Sequence, residues 1–335
     1  MSAQAAARPR ILVLRALGLG DLLSAVPALR GLRRAFPGHE IVLALPPSLR
    51  DAALATGTVD TVLPAQAPGR GVPTLTGWHG EPPDVAVDLH GNGPESHVAL
   101  AALGPRRILS YTAAGPAAGP PPVWRREDHE RERWCRLLEA YGVAADPADV
   151  RLPPPSQPSP APGAVVVHPG AEAAARRWPA RHYATVARRL VAADCRVVVT
   201  GGPGEEELTK EVAEGAGLGA EDVFSGGLPF AELSALVAGA SCFLSGDTGP
   251  AHLAVAHGAP SVTLFGPVAP RLWGPPPDSR HTALWNPGPP GDPHGAVPDP
   301  SLLKIGTVEV LAAVLAHTRR EKSDDLRPIE ASDRA

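Results

Sequence analysis

Short unbroken apolar runs recur along this chain, each closed by a glycine-rich or polar turn before apolar residues resume at helical spacing. Ile11 to Leu14 leads through Gly18 and Gly20 into Leu22, Leu23, Val26, Leu29, Leu32 and Phe36, the pattern of a strand, a glycine loop and a helix. Further strands are EIVLAL at 40–45, TVLP at 61–64 and DVAVDLHG at 84–91, followed by a helical SHVALAAL and a short RRILSY. Strands that are apolar throughout are buried on both faces, and their alternation with helices implies a parallel sheet with right-handed crossovers. The expected fold class is α/β, built from doubly wound parallel sheets.

The alternation breaks once and then restarts. RLPPPSQPSPAPG at 151–163 has no periodicity and too much proline for a helix or a central strand. Beyond it come AVVVHPG, a helix over about 179–193, RVVVTGG, a helix starting near Glu205, DVFSGG, FAELSALVAGA, SCFLSGD, a helix over 250–257 and APSVTLFGP. The expected organisation is a Rossmann-like domain over 1–152, a proline-rich linker over 153–163 and a second Rossmann-like domain over 164–318. The second domain is closed by an amphipathic stretch at 307–317, and a disordered charged tail follows at 319–335. REDHERER at 126–133, with both charge signs at helical spacing, reads as a solvated helix face.

With 335 residues and a net charge of -4, the chain is long enough for two cores and has no electrostatic footprint for nucleic acid. Cys135, Cys195 and Cys242 lie far apart without C-x-x-C spacing, so they read as small hydrophobes rather than zinc ligands or disulfides. No apolar stretch has the length of a signal peptide core or a membrane span, so the expectation is a cytoplasmic protein with at most peripheral membrane association.

Open parallel sheets bind ligands beyond the carboxyl ends of their strands. The polar clusters fall there: Gly18 to Asp21 and His90 to Asn92 in the first half, and His168 to Gly170, Thr200 to Glu205 and Gly246 to Gly249 in the second. They are expected to line a cleft between the halves. The turn Gly246-Asp247-Thr248-Gly249 opens a helix at Pro250, and a helix start with small residues suits a phosphate, although Asp247 or Thr248 could simply cap the helix. His252 in the first turn can face the same ligand or serve in packing. Arg176 and Arg177 supply guanidinium forks for an anion, or form a solvated pair. Glu205 can accept hydrogen bonds from a ribose or sugar diol, or compensate its helix dipole. Asp21 can take a proton from an attacking hydroxyl, or cap the first helix.

Some chemistries are excluded by pattern. G-x-G-x-x-G is incomplete because Leu23 holds the third glycine position, and D-x-D, H-E-x-x-H and Walker-type G-x-x-x-x-G-K-[ST] patterns are missing. No metal site or cofactor is expected. The segments ILVLRALGLGDLLSAVPALRGLRRAFPG, DLHGNGPESHVAL, HPGAEAAARRWP and SGDTGPAHLAVAHGAPSVTLFGP together resemble glycosyltransferase family 9, the ADP-heptose:lipopolysaccharide heptosyltransferases and their relatives. The likeness covers almost the whole chain in order.

That resemblance implies a GT-B fold and metal-independent, inverting sugar transfer from a nucleotide-sugar, ADP-linked, to a hydroxyl of a glycan or small-molecule acceptor. Asp21 matches the family's base, with Gly18, Gly20, His90 and Asn92 on the acceptor side. Asp247, Thr248, Gly249 and His252 match the diphosphate-binding turn, Arg176 or Arg177 a basic donor-site residue, Glu205 a carboxylate on the ribose or sugar, and Leu228 the adenine cover. Where the family carries hydroxyl residues after the first strand of the second domain, this chain has Gly170 and Ala171, so backbone N–H groups must supply those phosphate bonds. On the residues alone, a nucleotide-sugar epimerase or hydrolase of the same fold, or a non-catalytic nucleotide-sugar-binding protein, stays open.

Overall fold

The computed structural model describes residues 8–112 and 120–325, with side chains through 319. The chain divides into two compact units, residues 1–154 with 271–273, and 155–270 with 274–335.

The first unit carries β1 (Arg10–Leu14), α1 (Leu19–Ala35), β2 (Glu40–Leu45), α2 (Arg50–Ala55), β3 (Thr61–Pro64), β4 (Val85–Asp88), α3 (Pro94–Ala101), β5 (Arg107–Leu109) and α4 (Glu130–Ala140). Its strands are all parallel in the order β3-β2-β1-β4-β5. Ile11 to Leu14 are wholly buried, as a central parallel strand covered by helices on both faces requires. A Cβ at Gly31 of α1 would lie 2.8 Å from the Ala144 carbonyl, so glycine lets the chain beyond α4 cross that helix closely.

The second unit contains β6 (Val165–His168), α5 (Ala180–Val191), β7 (Val197–Thr200), α6 (Glu206–Ala216), β8 (Val223–Phe224), α7 (Phe230–Ala238), β9 (Cys242–Gly246), α8 (Gly249–His257) and β10 (Ser261–Phe265). After the short α9 (Pro270–Trp273), which groups with the first unit, come β11 (His281–Trp285), α10 (Pro300–Leu303) and α11 (Thr307–Asp325). The parallel sheet runs β11-β10-β9-β6-β7-β8. The apolar faces of α5, α6 and α11 close its core through Tyr183, Val186, Leu190, Val212, Val310 and Val314.

Four expectations are corrected. α1 starts at Leu19, so Gly20 lies in its first turn and not in a loop. α11 extends through Asp325, into the segment expected to be a disordered tail, and residues 326–335 lie outside those described. β11 was not anticipated, because HTALW is a half-buried edge strand between proline-rich flanks and lacks an unbroken apolar run.

The largest correction concerns REDHERER. The helix begins only at Glu130, and Glu130, Arg131 and Arg133 are buried, at 5, 8 and 8% exposure, not solvated. Glu130 accepts from Arg15 and Arg133 and from the Trp134 indole, so the charges are paired inside the unit. Cys135 and Cys242 are buried free thiols and Cys195 is partly exposed. No helix among the described residues is long and apolar enough to cross a membrane.

Candidate active site

Each sheet reverses its strand order once, between β1 and β4 in the first unit and between β6 and β9 in the second. Those switch points are where open parallel sheets hold ligands.

In the first unit the register sets Leu14 opposite Asp88, so Arg15 and the Leu89-His90 segment leave the sheet side by side. Arg15 is 2% exposed, and its guanidinium ties the two strand ends to α1 and α4. It donates to the carbonyls of Leu89 and Asp21 and to Ser24, lies 3.4 Å from the Asp21 carboxylate, and reaches Glu130 at 2.8 Å. Asp21, in the first turn of α1, accepts the Gly18 N–H at 3.1 Å. The helix-capping role is therefore real, but it occupies only part of the carboxylate. Arg70 grips both oxygens, at 2.9 and 3.2 Å. Gly69 and Arg70 both have positive φ, 57° and 62°, and for Arg70 that is a costly conformation outside glycine. Burial pushes the Asp21 carboxyl upward, but Arg15, Arg70 and the Gly18 amide outweigh it and hold the group below its ordinary value.

Asp88, wholly buried at the end of β4, accepts from Ser96 at 2.6 Å and from the His90 N–H at 3.0 Å, fixing the turn that carries His90. Burial raises the Asp88 carboxyl. The His90 ring contacts the Gly71 carbonyl through Nε2 at 3.1 Å, and burial lowers its basicity, with Arg15 and Arg70 acting in the same direction. A neutral ring that donates there leaves Nδ1, buried and without a partner, as an acceptor suited to a hydroxyl. Asn92 is exposed and offers its carbonyl to Thr112 at 3.4 Å. The arrangement is an ionised carboxylate, a guanidinium and a neutral imidazole at one strand-end crevice.

In the second unit His168 pairs with Ser245, so the Pro169–Ala171 loop and the turn after β9 emerge together. A Cβ at Gly246 would lie 2.7 Å from the Arg176 carbonyl, which puts the Arg176 backbone directly on that glycine. The Arg176 side chain donates to the Asp247 carbonyl at 3.1 Å and approaches Glu172 at 3.5 Å. Arg177 points elsewhere, is exposed, and braces the Ala171 carbonyl at 2.8 Å. Of the two arginines, Arg176 is the one at the Gly246–Gly249 turn. Trp178 anchors the segment beneath, 1% exposed, with its indole N–H on the Ile305 carbonyl.

Thr248 is the N-cap of α8 with extended backbone, yet its side chain closes no capping bond. The first amides of a helix have no intrahelical acceptor, so this end presents donors and a positive dipole to an anion. His252 lies 3.9 Å from the Asp247 carboxylate. Glu205 precedes α6 but does not cap it: its carboxylate accepts the Gly202 N–H at 2.8 Å, lies 4.0 Å from His168, and occupies the place a Cβ on Gly170 would take. Burial keeps His168 below its ordinary basicity, against the pull of Glu205. Leu228 sits half-buried in the loop between β8 and α7. Buried Nε of Arg176 closes no hydrogen bond, so polar capacity is left over at this switch point.

Sequence reasoning named Asp21 and Arg176 but missed Arg15, Arg70, Asp88 and Glu130. A signal existed for Arg15 and Asp88, each a charge at the carboxyl end of an apolar run. Nothing local marks Arg70 or Glu130. Among the described residues no cluster of His, Cys, Asp and Glu is arranged to hold a metal ion.

Residues 143–292 match the family model described as glycosyltransferase family 9 (heptosyltransferase). Lipopolysaccharide heptosyltransferase 3 of Escherichia coli is 33% identical over 113 residues, 33% of each chain, so the matched stretch spans about a third of that relative's length. The solved ADP-heptose lipopolysaccharide heptosyltransferase II of E. coli superposes with a TM-score of 0.72 at 20% identity, over 93% of this chain and 99% of that one. An iron-containing dodecameric glycosyltransferase from enterotoxigenic E. coli superposes at 0.62 with 16% identity, over 94% and 77%. The shared fold is GT-B.

Proposed function

We propose, from the match of residues 143–292 to the family 9 glycosyltransferase model, that the chain transfers a heptose from an ADP-heptose-type donor to a hydroxyl of a glycan or small-molecule acceptor. The observation that carries this reading is the Gly246–Gly249 turn: a helix start whose Thr248 N-cap side chain closes no capping bond, braced by Arg176, at the switch point of the sheet inside the matched stretch. The second unit binds the donor, its diphosphate on the amides of α8 and the Arg176 guanidinium, and Glu205 takes a diol of the ribose or sugar. Gly170 and Ala171 contribute backbone amides, His252 supports the turn, and Leu228 covers the base.

The first unit serves the acceptor. Asp21 takes the acceptor hydroxyl's proton, the oxygen bonds to the anomeric carbon, and the bond from that carbon to the diphosphate breaks with its electron pair on the leaving phosphate oxygen. The anomeric centre inverts. Negative charge gathers on the departing diphosphate, where α8 and Arg176 stabilise it, so the reaction needs no metal. His90 Nδ1 and the carbonyl-rich turn around Asn92 orient the acceptor.

The test incubates the full chain with ADP-heptose and a panel of glycan and polyol acceptors, reading ADP release and the acceptor's mass gain. Transfer that survives EDTA, and is lost with UDP- or GDP-linked sugars, is the expected result. Asp21→Asn should lower kcat by roughly 10² to 10⁴, the usual range for a removed general base. Free heptose released without acceptor would instead identify a hydrolase. Donor binding without turnover on any acceptor would identify a binding protein.

A further inference from the structure

Four charged side chains gather around Asp21, and two of them, Arg15 and Arg70, touch it. Arg15 stands between two carboxylates, 3.4 Å from Asp21 and 2.8 Å from Glu130, with the Trp134 ring 4.8 Å below its guanidinium. The Trp134 indole N–H donates at 2.9 Å to the same Glu130 oxygen as Arg15, and Arg133 holds the other oxygen. Its side chain is 6% exposed and that of Arg15 1%, so the pair is locked away from solvent. Arg133 in turn stacks on Trp124 at 4.4 Å and donates to the carbonyls of the turn before α4. Glu130 therefore sits where it can determine both the direction in which Arg15 points and how much of its charge reaches Asp21.

We propose that Glu130 is the positioning residue of the first unit's reaction centre: by holding Arg15 from behind and offsetting its charge, it keeps Asp21 in place and able to accept a proton. This rests on the reading of Asp21 as the base. With Glu130 present, three guanidiniums (Arg15, Arg70 and Arg133) share two carboxylates. Without its charge the cluster loses one of its two carboxylates, Arg15 is free to close the 3.4 Å gap to Asp21, and that carboxylate becomes a weaker proton acceptor. Glu130 touches no substrate in this scheme and acts only through Arg15.

His90 reports the field. Its ring lies among the same groups, its basicity lowered first by burial, then pulled down by Arg15 and Arg70 and up by Asp21. The experiment follows the His90 ring resonance through a pH titration in the full chain, with kcat and the KM for ADP-heptose measured alongside. Glu130→Gln should lower the His90 midpoint by about half a unit and kcat by about three- to tenfold, leaving the donor KM within about twofold. Glu130→Asp, which keeps the charge, should retain the midpoint and most of kcat. Arg133→Gln, which removes a cation from the same cluster, should move the midpoint the other way and serves if Glu130→Gln fails to fold. An unmoved His90 in Glu130→Gln, or equal effects of Gln and Asp, would overturn the proposal by making Glu130 a packing residue. Wild-type kcat in Asp21→Asn would instead overturn the base reading, while the His90 shifts would still stand or fall with the coupling.

Discussion

Asp21 joins a cap, an ion pair and a bidentate arginine in one buried carboxylate. Its folded value lies below the ordinary one, so its ionised form stabilises the native state fully above the unfolded value of about 4, and that stabilisation is lost as pH falls through the folded value. Asp21→Asn should therefore lower stability at pH 7 by on the order of 3 kcal/mol, because it removes the charge that Arg15 and Arg70 share, leaving Arg15 on Glu130 alone. The gap to wild type should close as pH is taken below 4, measured by thermal denaturation across pH 3 to 7. A constant gap of about 1 kcal/mol would mean that Asp21 acts on stability as a helix cap alone.

At the level of elements, two glycines at strand ends of the second unit are there for different reasons. At Gly246 the obstacle is backbone, the Arg176 carbonyl at 2.7 Å, so Gly246→Ala should cost about 2 kcal/mol in denaturant unfolding and loosen the Arg176 brace. At Gly170 the obstacle is the Glu205 carboxylate, the end of a flexible side chain. Gly170→Ala should displace Glu205 from Gly202 with a stability change below about 1 kcal/mol, and weaken ADP binding by about tenfold in calorimetry. Most strands and helices were legible because their apolar period follows from burial, and Glu205 and Asp247 stood out as candidates because strand ends mark themselves with polar residues. Glu130 and Arg133 were not legible: a helix start of alternating charge reads the same whether water or Arg15 and two tryptophans surround it. Arg70 escaped for a related reason, since only the positive φ at Gly69 and Arg70 brings it to Asp21.

For the whole molecule, the repeated strand-and-helix pattern on either side of the proline-rich segment made two units legible, and their strand orders put a switch point in each. The proposed division of labour between them can be measured without knowing the acceptor. A ligand that binds only the native state stabilises it by RT ln(1 + [L]/Kd), roughly 2.7 kcal/mol at 100 times Kd. ADP at that excess should raise the melting temperature by several degrees, since a unit of this size shifts roughly 2–4 °C per kcal/mol. Arg176→Met and Thr248→Ala should each remove most of the shift, through the turn at α8, whereas Arg177→Met should keep it because that side chain braces Ala171. Asp21→Asn and Glu130→Gln, both in the first unit, should start from a lower melting temperature and still gain the full increment from ADP. If the first-unit variants lose the increment, the nucleotide is held by Asp21 and its arginines, and the assignment of the donor to the second unit fails.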